Sequence, residues 1–308
     1  MLLSRAAVER RPWATCAGCA ATLFVADAGA HPVDAALTAA APSIGWSFEP
    51  WVIACLLVSA ALYGVGVARL WRRAGPGRGV HARRALAFAG GWLATAAALV
   101  SPLDGLGTQL FSAHMLQHEA LMVVAAPLFV LGRPLAAFAW ALPPAWRRGI
   151  GHFFHRPGWR VPWLLVTAPL AAWLVHALVL WLWHVPAAFE AALASEGVHA
   201  LQHTSFMLAA LLYWWSVIGH QRRHGAAMAS LFTTMIHTGA LGALLTLSPV
   251  GWYPAYATRT LAFGLDPLED QQLGGLIMWI PAGAAYVACG LATAARWLQR
   301  PERLEPAA

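Results

Sequence analysis

Seven apolar stretches, near 48–70, 85–101, 108–131, 162–184, 198–219, 226–248 and 273–297, follow one another along this chain. The connections between them are short. Each stretch approaches the ~20 residues a helix needs, at about 1.5 Å per residue, to cross the hydrocarbon core of a bilayer. The pattern predicts an all-α, polytopic integral membrane protein, a bundle of seven transmembrane helices over residues 48–297. Charge supports this: only 11% of residues are charged against 59% hydrophobic, whereas a soluble domain has about a quarter charged and needs a charged surface. Its 17 tryptophans suit the headgroup level, where an apolar ring keeps its N–H wet.

The formal charge of +7 is carried by arginine alone, without a lysine. Of the 17 arginines after residue 30, 16 fall around the first, third and fifth connections or in the C-terminal tail, and only Arg259 lies on the other side. Asp34, Glu49, Asp104, Glu190, Glu196, Asp266, Glu269 and Asp270 are all opposite the arginines. Arginine-rich connections face the cytoplasm, so the N-terminus is expected outside and the C-terminus in the cytoplasm. Basic charge distributed this way marks topology and argues against a nucleic-acid partner. The longest connection, 132–161, holds Pro143, Pro144, Pro157 and five arginines and predicts a surface segment with one short interfacial helix.

Residues 1–30 read as a secretory signal. Arg5, Arg10 and Arg11 precede the moderately apolar run 14–25, and the small residues of 26–30 suit cleavage. Residues 31–47 are then a periplasmic segment and 298–308 a cytoplasmic tail. Cys16 and Cys19 form a CxxC, but inside the signal, which favours targeting over metal or redox chemistry. Cleavage after Ala30 would leave His31 as an N-terminal residue with amine and ring available to a metal; an incidental histidine in a tail is the simpler reading.

One pattern occurs twice. His114-Met115-Leu116-Gln117-His118 opens the third stretch and His199-Ala200-Leu201-Gln202-His203 the fifth, each an H-x-L-Q-H. Residues i and i+4 share a helix face, so each pair presents two imidazoles one turn apart, able to share a metal. Both stretches start on the outer side, within roughly 10 Å of that surface by helix rise. His184 ends the fourth stretch at the same level. One such pair on a helix is weak, because headgroup-level histidines also bond water and lipid. Two pairs and His184 at matched depth point to one metal site, since imidazole in a membrane needs a bundle interior and partners.

Other residues could assist. Met115, Met122 and Met207 lie on the same two stretches; thioethers favour copper(I) over zinc, although Met also fills helix interfaces. Glu119 follows His118 well inside the third stretch, where a carboxylate must be protonated, paired or wet, as a proton relay or a histidine's partner. Asp270 and Gln271 precede the seventh stretch, where Asp270 suits a helix cap, and this acidic, amide-rich segment could also lead a cation toward the histidines. Gly274 and Gly275 permit close helix approach. His176 and His237 lie deeper and read as structural.

With these residues in view, the chain resembles the multi-span CtaG-type cytochrome c oxidase assembly factors, a family distinct from the single-span copper chaperone of that name. The likeness rests on Ser101-Pro102-Leu103-Asp104, on Phe111 to His118, on Ala126-Pro127-Leu128 with Leu131-Gly132-Arg133-Pro134, on Trp183-His184-Val185-Pro186, on Val198 to His203, on Tyr253-Pro254-Ala255-Tyr256 and on Pro267 to Gln272. It covers nearly all of the chain after the signal. It implies a multi-pass protein of the bacterial inner membrane that helps mature a haem–copper oxidase by handling copper at the outer face, with an oxidase subunit or copper chaperone as partner. Metal ligation by His114, His118, His184, His199 and His203 is inferred from their chemistry. Position 119 is often apolar in such sequences, so Glu119 departs from the pattern.

Three roles compete with a non-enzymatic copper-handling factor. A copper permease needs polar groups through to the cytoplasmic side, but the inner segments 123–130 and 208–215 are apolar. A metalloenzyme or haem protein is the next: membrane di-iron oxygenases combine H-x-x-x-H motifs with an adjacent His-His, which this chain lacks, and a haem would take one imidazole from each of the third and fifth stretches. A scaffold would leave the histidines empty.

Overall fold

The computed structural model describes residues 44–219 and 224–299. The signal segment with Cys16 and Cys19, the residues after it from His31 to 43, the pair Arg222 and Arg223, and the tail from residue 300 lie outside the described residues. Among the described residues every regular element is helical. Proline sets most of the starts, because its fixed φ suits the first helical position and its missing N–H is not needed there.

Helix α1 spans Pro50–Ala74 and ends at Gly75, whose φ of 95° only glycine adopts freely. Helix α2, Ala82–Leu99, returns beside it, and Trp92 Nε1 donates to the Leu56 carbonyl at 2.9 Å. The short α3, Pro102–Gly107, leads into α4, Phe111–Glu119, which continues through a π-helical turn, Ala120–Ala125, into α5, Ala126–Gly132. The π turn has a local cause: in a regular α turn the Pro127 ring would press on the Val123 carbonyl four residues back and leave it without a donor. In the π geometry the Ala126 amide donates to the Leu121 carbonyl, and the Met122 carbonyl would need the amide of residue 127, which proline lacks. Trp214 Nε1 donates to that oxygen instead, at 2.8 Å.

The expected single interfacial helix of 132–161 is instead α6, Pro134–Ala141, α7, Pro144–His155, and the start of α8, Pro157–Val166. The expected span 162–184 is also broken: α8 meets α9, Pro169–Trp183, at 65°. Pro169 lacks the amide to continue the helix and holds Ala168 extended, with ψ of 140°. Helices α10, Pro186–Ala194, α11, Glu196–Gly219, α12, His224–Leu247, and α13, Pro267–Leu298, complete the chain.

Among the described residues, four helices are long and apolar enough to cross a membrane: α1, the continuous Phe111–Gly132, α12 and α13; α8 with α9 makes a fifth if the bent pair is one span. The other two expected spans are helices, α2 and α11, but neither is apolar enough alone. Arg83 and Arg84 open α2, and Glu196, His199, Gln202, His203, Thr204 and Ser205 fill the first turns of α11. The surface is that of a membrane protein. Leu57, Leu93, Leu178, Phe232 and Leu291 point outward, while His114, Gln117, Gln202, Thr234 and Asp270 are buried.

The core lies between α4, α9, α11, α12 and α13, around Phe111, Met115, Phe206, Tyr213, Trp214, Leu241 and Tyr286. The expected close approach at the paired glycines is present. A Cβ on Gly275 would come within 2.7 Å of the Gly242 carbonyl oxygen, and one on Gly274 would crowd Phe111 and Met115. Helix α13 is thereby wedged between α12 and α4.

Candidate metal centre

The two H-x-L-Q-H segments lie on α4 and α11 and face each other. Ring centroids of His114 stand 4.4 Å from His118, 5.4 Å from His199 and 5.6 Å from His203. His118 is 5.3 Å from His203 and 6.1 Å from His184 at the end of α9, and His199 is 4.2 Å from His203. All five histidines singled out from the sequence therefore form one contiguous group. A tighter triad lies within it: one ring nitrogen each from His114, His199 and His203 lies within 4.8 Å of the other two.

His114, His118, His184 and His203 are buried and His199 is half-buried. Both nitrogens of His114 and His118, and Nε2 of His184, His199 and His203, are buried without a hydrogen-bond partner. Buried polar atoms are nearly always paired, so this many together need a ligand or water. His184 is partly committed. Its Nδ1 lies 2.7 Å from the Leu180 carbonyl; a carbonyl only accepts, so the proton sits on Nδ1 and Nε2 keeps its lone pair.

The frame around the rings is specific. Asp270 of α13 accepts from the backbone amides of Phe111, at 2.6 Å, and Ser112, at 3.2 Å, and from the Ser112 hydroxyl. It caps not its own helix, which Asp266 caps through the Leu268 amide, but α4, the helix that carries His114 and His118. Gln271 pins the loop after α12: its Oε1 accepts from the Trp252 amide and its Nε2 donates to the Leu245 and Val250 carbonyls. Above the rings, Tyr253 donates to the His184 carbonyl at 2.9 Å and Tyr256 to that of Gly107 at 2.8 Å. Burial pushes both phenols above their usual range, so they remain neutral donors. Phe189 of α10 and Phe206 of α11 close the sides, 4.9 Å from His114 and 4.4 Å from His118.

The remaining accessory candidates lie outside the ring cluster. Met115 and Met122 are buried in the core, and Met207 packs against it. Glu119, where α4 enters the π turn, has a buried Oε2 without a partner and lies within electrostatic range of Tyr286 on α13. Two residues were not singled out from the sequence. Gln202 is fully buried beside His114. Asp104 of α3 lies within electrostatic range of His199 and accepts from Gln117 at 3.0 Å. The signal for Gln202 was in the repeat itself, since i+3 shares the face of i; Asp104 required the fold.

The family model of the cytochrome c oxidase caa3 assembly factor (Caa3_CtaG) matches residues 61–300. Uncharacterised proteins of Mycobacterium bovis and Mycobacterium tuberculosis are each 26% identical over 278 residues, and one of Mycobacterium leprae is 26% identical over 275. Each alignment covers 84% of this chain, which spans about 40% of the length of those relatives. No solved structure matches. The family match takes in every residue of the histidine cluster, and the chain belongs to the cytochrome c oxidase caa3 assembly factor family.

Proposed function

We propose that the protein takes up copper at the outer face of the bacterial inner membrane and passes it to a subunit of a haem–copper oxidase during assembly. In this reading seven helices cross the membrane, with α2, α11 and the bent α8–α9 pair completing the count, the N-terminus outside and the arginine-rich connections in the cytoplasm. The supporting observation is the convergence of five imidazoles from α4, α9 and α11, three of them with nitrogens within 4.8 Å of one another.

The spacing suits an ion. With a metal–nitrogen bond of about 2.0 Å, two imidazoles on one ion stand with centroids about 5–6 Å apart. His114–His199, His114–His203 and His118–His203 fall at 5.4, 5.6 and 5.3 Å. A haem held between two rings needs a flat slot as well, and Phe189 and Phe206 occupy the flanks here. The triad holds only neutral ligands, which favours a low-charge, soft ion and lets ligands exchange one at a time. His199, half-buried beside Asp104, is the outward-facing member through which an ion would enter and leave. Transfer by ligand exchange makes the protein a carrier rather than an enzyme.

The test is copper and haem content of the purified protein beside His114→Ala, His118→Ala, His184→Ala, His199→Ala and His203→Ala. The expected result is copper without a Soret band, with loss of about one equivalent in at least the His114 and His203 variants. Undiminished copper in all five variants would remove the site.

A further inference from the structure

We infer that His176 and His237 form a second, inner cation site near the bilayer midplane, taking one monovalent copper ion between two imidazoles. The choice of copper rests on the reading above; the site itself rests on geometry distinct from the outer cluster.

His176 lies eight residues before His184 on α9, about 12 Å deeper by helix rise. Tyr213 lies ten residues beyond His203 on α11, and His237 ten residues before the outer end of α12, each about 15 Å down its helix. Three helices thus bring polar side chains to one level below the outer cluster. The His176 ring is 5.9 Å from that of His237 and 4.8 Å from that of Tyr213, and Trp173 packs 5.5 Å from His237. The His176–His237 separation is that of two imidazoles sharing an ion, about 5–6 Å between centroids.

These groups lack what a structural histidine in an apolar bundle has. His176 is 1% exposed and Tyr213 is fully buried. Both ring nitrogens of His176 and of His237 are buried without a partner, and the Tyr213 hydroxyl beside them lies next to those of Ser230 and Thr234. His184, on the same helix as His176, uses Nδ1 to satisfy its own backbone; His176 does not. Imidazole within a membrane that bonds neither helix nor side chain marks a ligand position. No carboxylate belongs to this group, and the cost of desolvating an ion rises steeply with its charge, so the occupant is monovalent. Among monovalent ions, imidazole nitrogens select copper(I).

The experiment is an anaerobic copper(I) titration of the full chain in detergent against a chromophoric chelator. It compares the parent, an outer variant (His114→Ala, His199→Ala, His203→Ala) and an inner variant (His176→Ala, His237→Ala). The parent is expected to bind about two equivalents and each variant about one, with X-ray absorption of the outer variant showing about two nitrogen neighbours. An outer variant that keeps its helical circular dichroism and stays monodisperse yet binds no copper overturns the inner site. So does an inner variant with undiminished binding. A parent binding about one equivalent, lost only in the inner variant, would instead overturn the outer site and leave this one standing. If the inner variant does not fold, the outer variant decides, because it leaves His176 and His237 untouched.

Discussion

The two H-x-L-Q-H segments have the same spacing but different surroundings. On α4 both histidines are buried, the first turn is held by Asp270 of another helix, and Gln117 turns away from the rings to donate to the Ala98 carbonyl at 2.8 Å and to Asp104. On α11 the first histidine is half-buried, no side chain of another helix among the described residues caps the start, and Gln202 lies against His114. Spacing settles which face each imidazole shares. The neighbouring helix settles whether a position anchors the site or opens it. In the copper-carrying reading proposed above, the α4 segment is the fixed wall and the α11 segment the working side.

The largest difference should appear at the helix starts. Asp270→Asn removes a charged acceptor of hydrogen bonds to α4 and is predicted to cost about 3 kcal/mol, bonds to a buried charge being worth about 1.5–3 kcal/mol each. Copper binding should fall with it, because His114 and His118 ride on that turn. Glu196→Gln, at the corresponding start of α11, should change the thermal midpoint little. Equal destabilisation by the two would erase the contrast between wall and working side.

A smaller effect separates the histidines themselves. His114 stands within 5.6 Å of three other imidazoles, so His114→Ala is expected to weaken copper(I) binding about 100-fold, and His199→Ala about 10-fold. In stopped-flow transfer to a chelator, His199→Ala should alter release more than His114→Ala does. The reverse order would make α11 the anchor.

The glutamines sharpen the comparison next. Gln117→Ala leaves the Ala98 carbonyl and Asp104 without their donor and should cost about 1–2 kcal/mol, with affinity nearly preserved in the protein that remains folded. Gln202→Ala should leave the melting curve nearly unchanged and lower copper affinity. A melt and a titration on each variant check the exchange of roles.

Much of this was legible before the fold was known, and the parts that were not share a cause. Helix existence followed from apolar length, and the meeting of the five histidines was suggested by helix spacing, which puts each pair on one helix face. Both are one-dimensional properties. Read for apolarity alone, 162–184 looks continuous, yet Pro169 divides it into two helices at 65°. That break was written in the sequence and was overruled by the hydropathy of its flanks. Asp270 was recognisable as a capping residue, but which helix it caps depends on how α13 packs on α4 through Gly274. The use of Gln117 and Gln202 depended on packing in the same way. Pairings between helices are three-dimensional and leave no period in the chain.

The smallest predicted effect lies one turn past the repeats. Beyond its repeat, α11 continues as a regular helix, whereas α4 passes into the π turn, where Pro127 leaves the Met122 carbonyl without a backbone donor and Trp214 of α11 supplies one. Trp214→Phe keeps most of the ring and removes only the N–H, so it should destabilise the protein by about 1 kcal/mol. Pro127→Ala restores a backbone amide at the position that lacks one. In that background the turn can revert to regular α geometry, and Trp214→Phe should then cost distinctly less. The coupling read from a double-mutant cycle of thermal or denaturant midpoints isolates this bond from the packing of the ring. An additive cycle would mean that the π turn owes its shape to something other than the missing amide, and that the wall side of the site is held without help from α11.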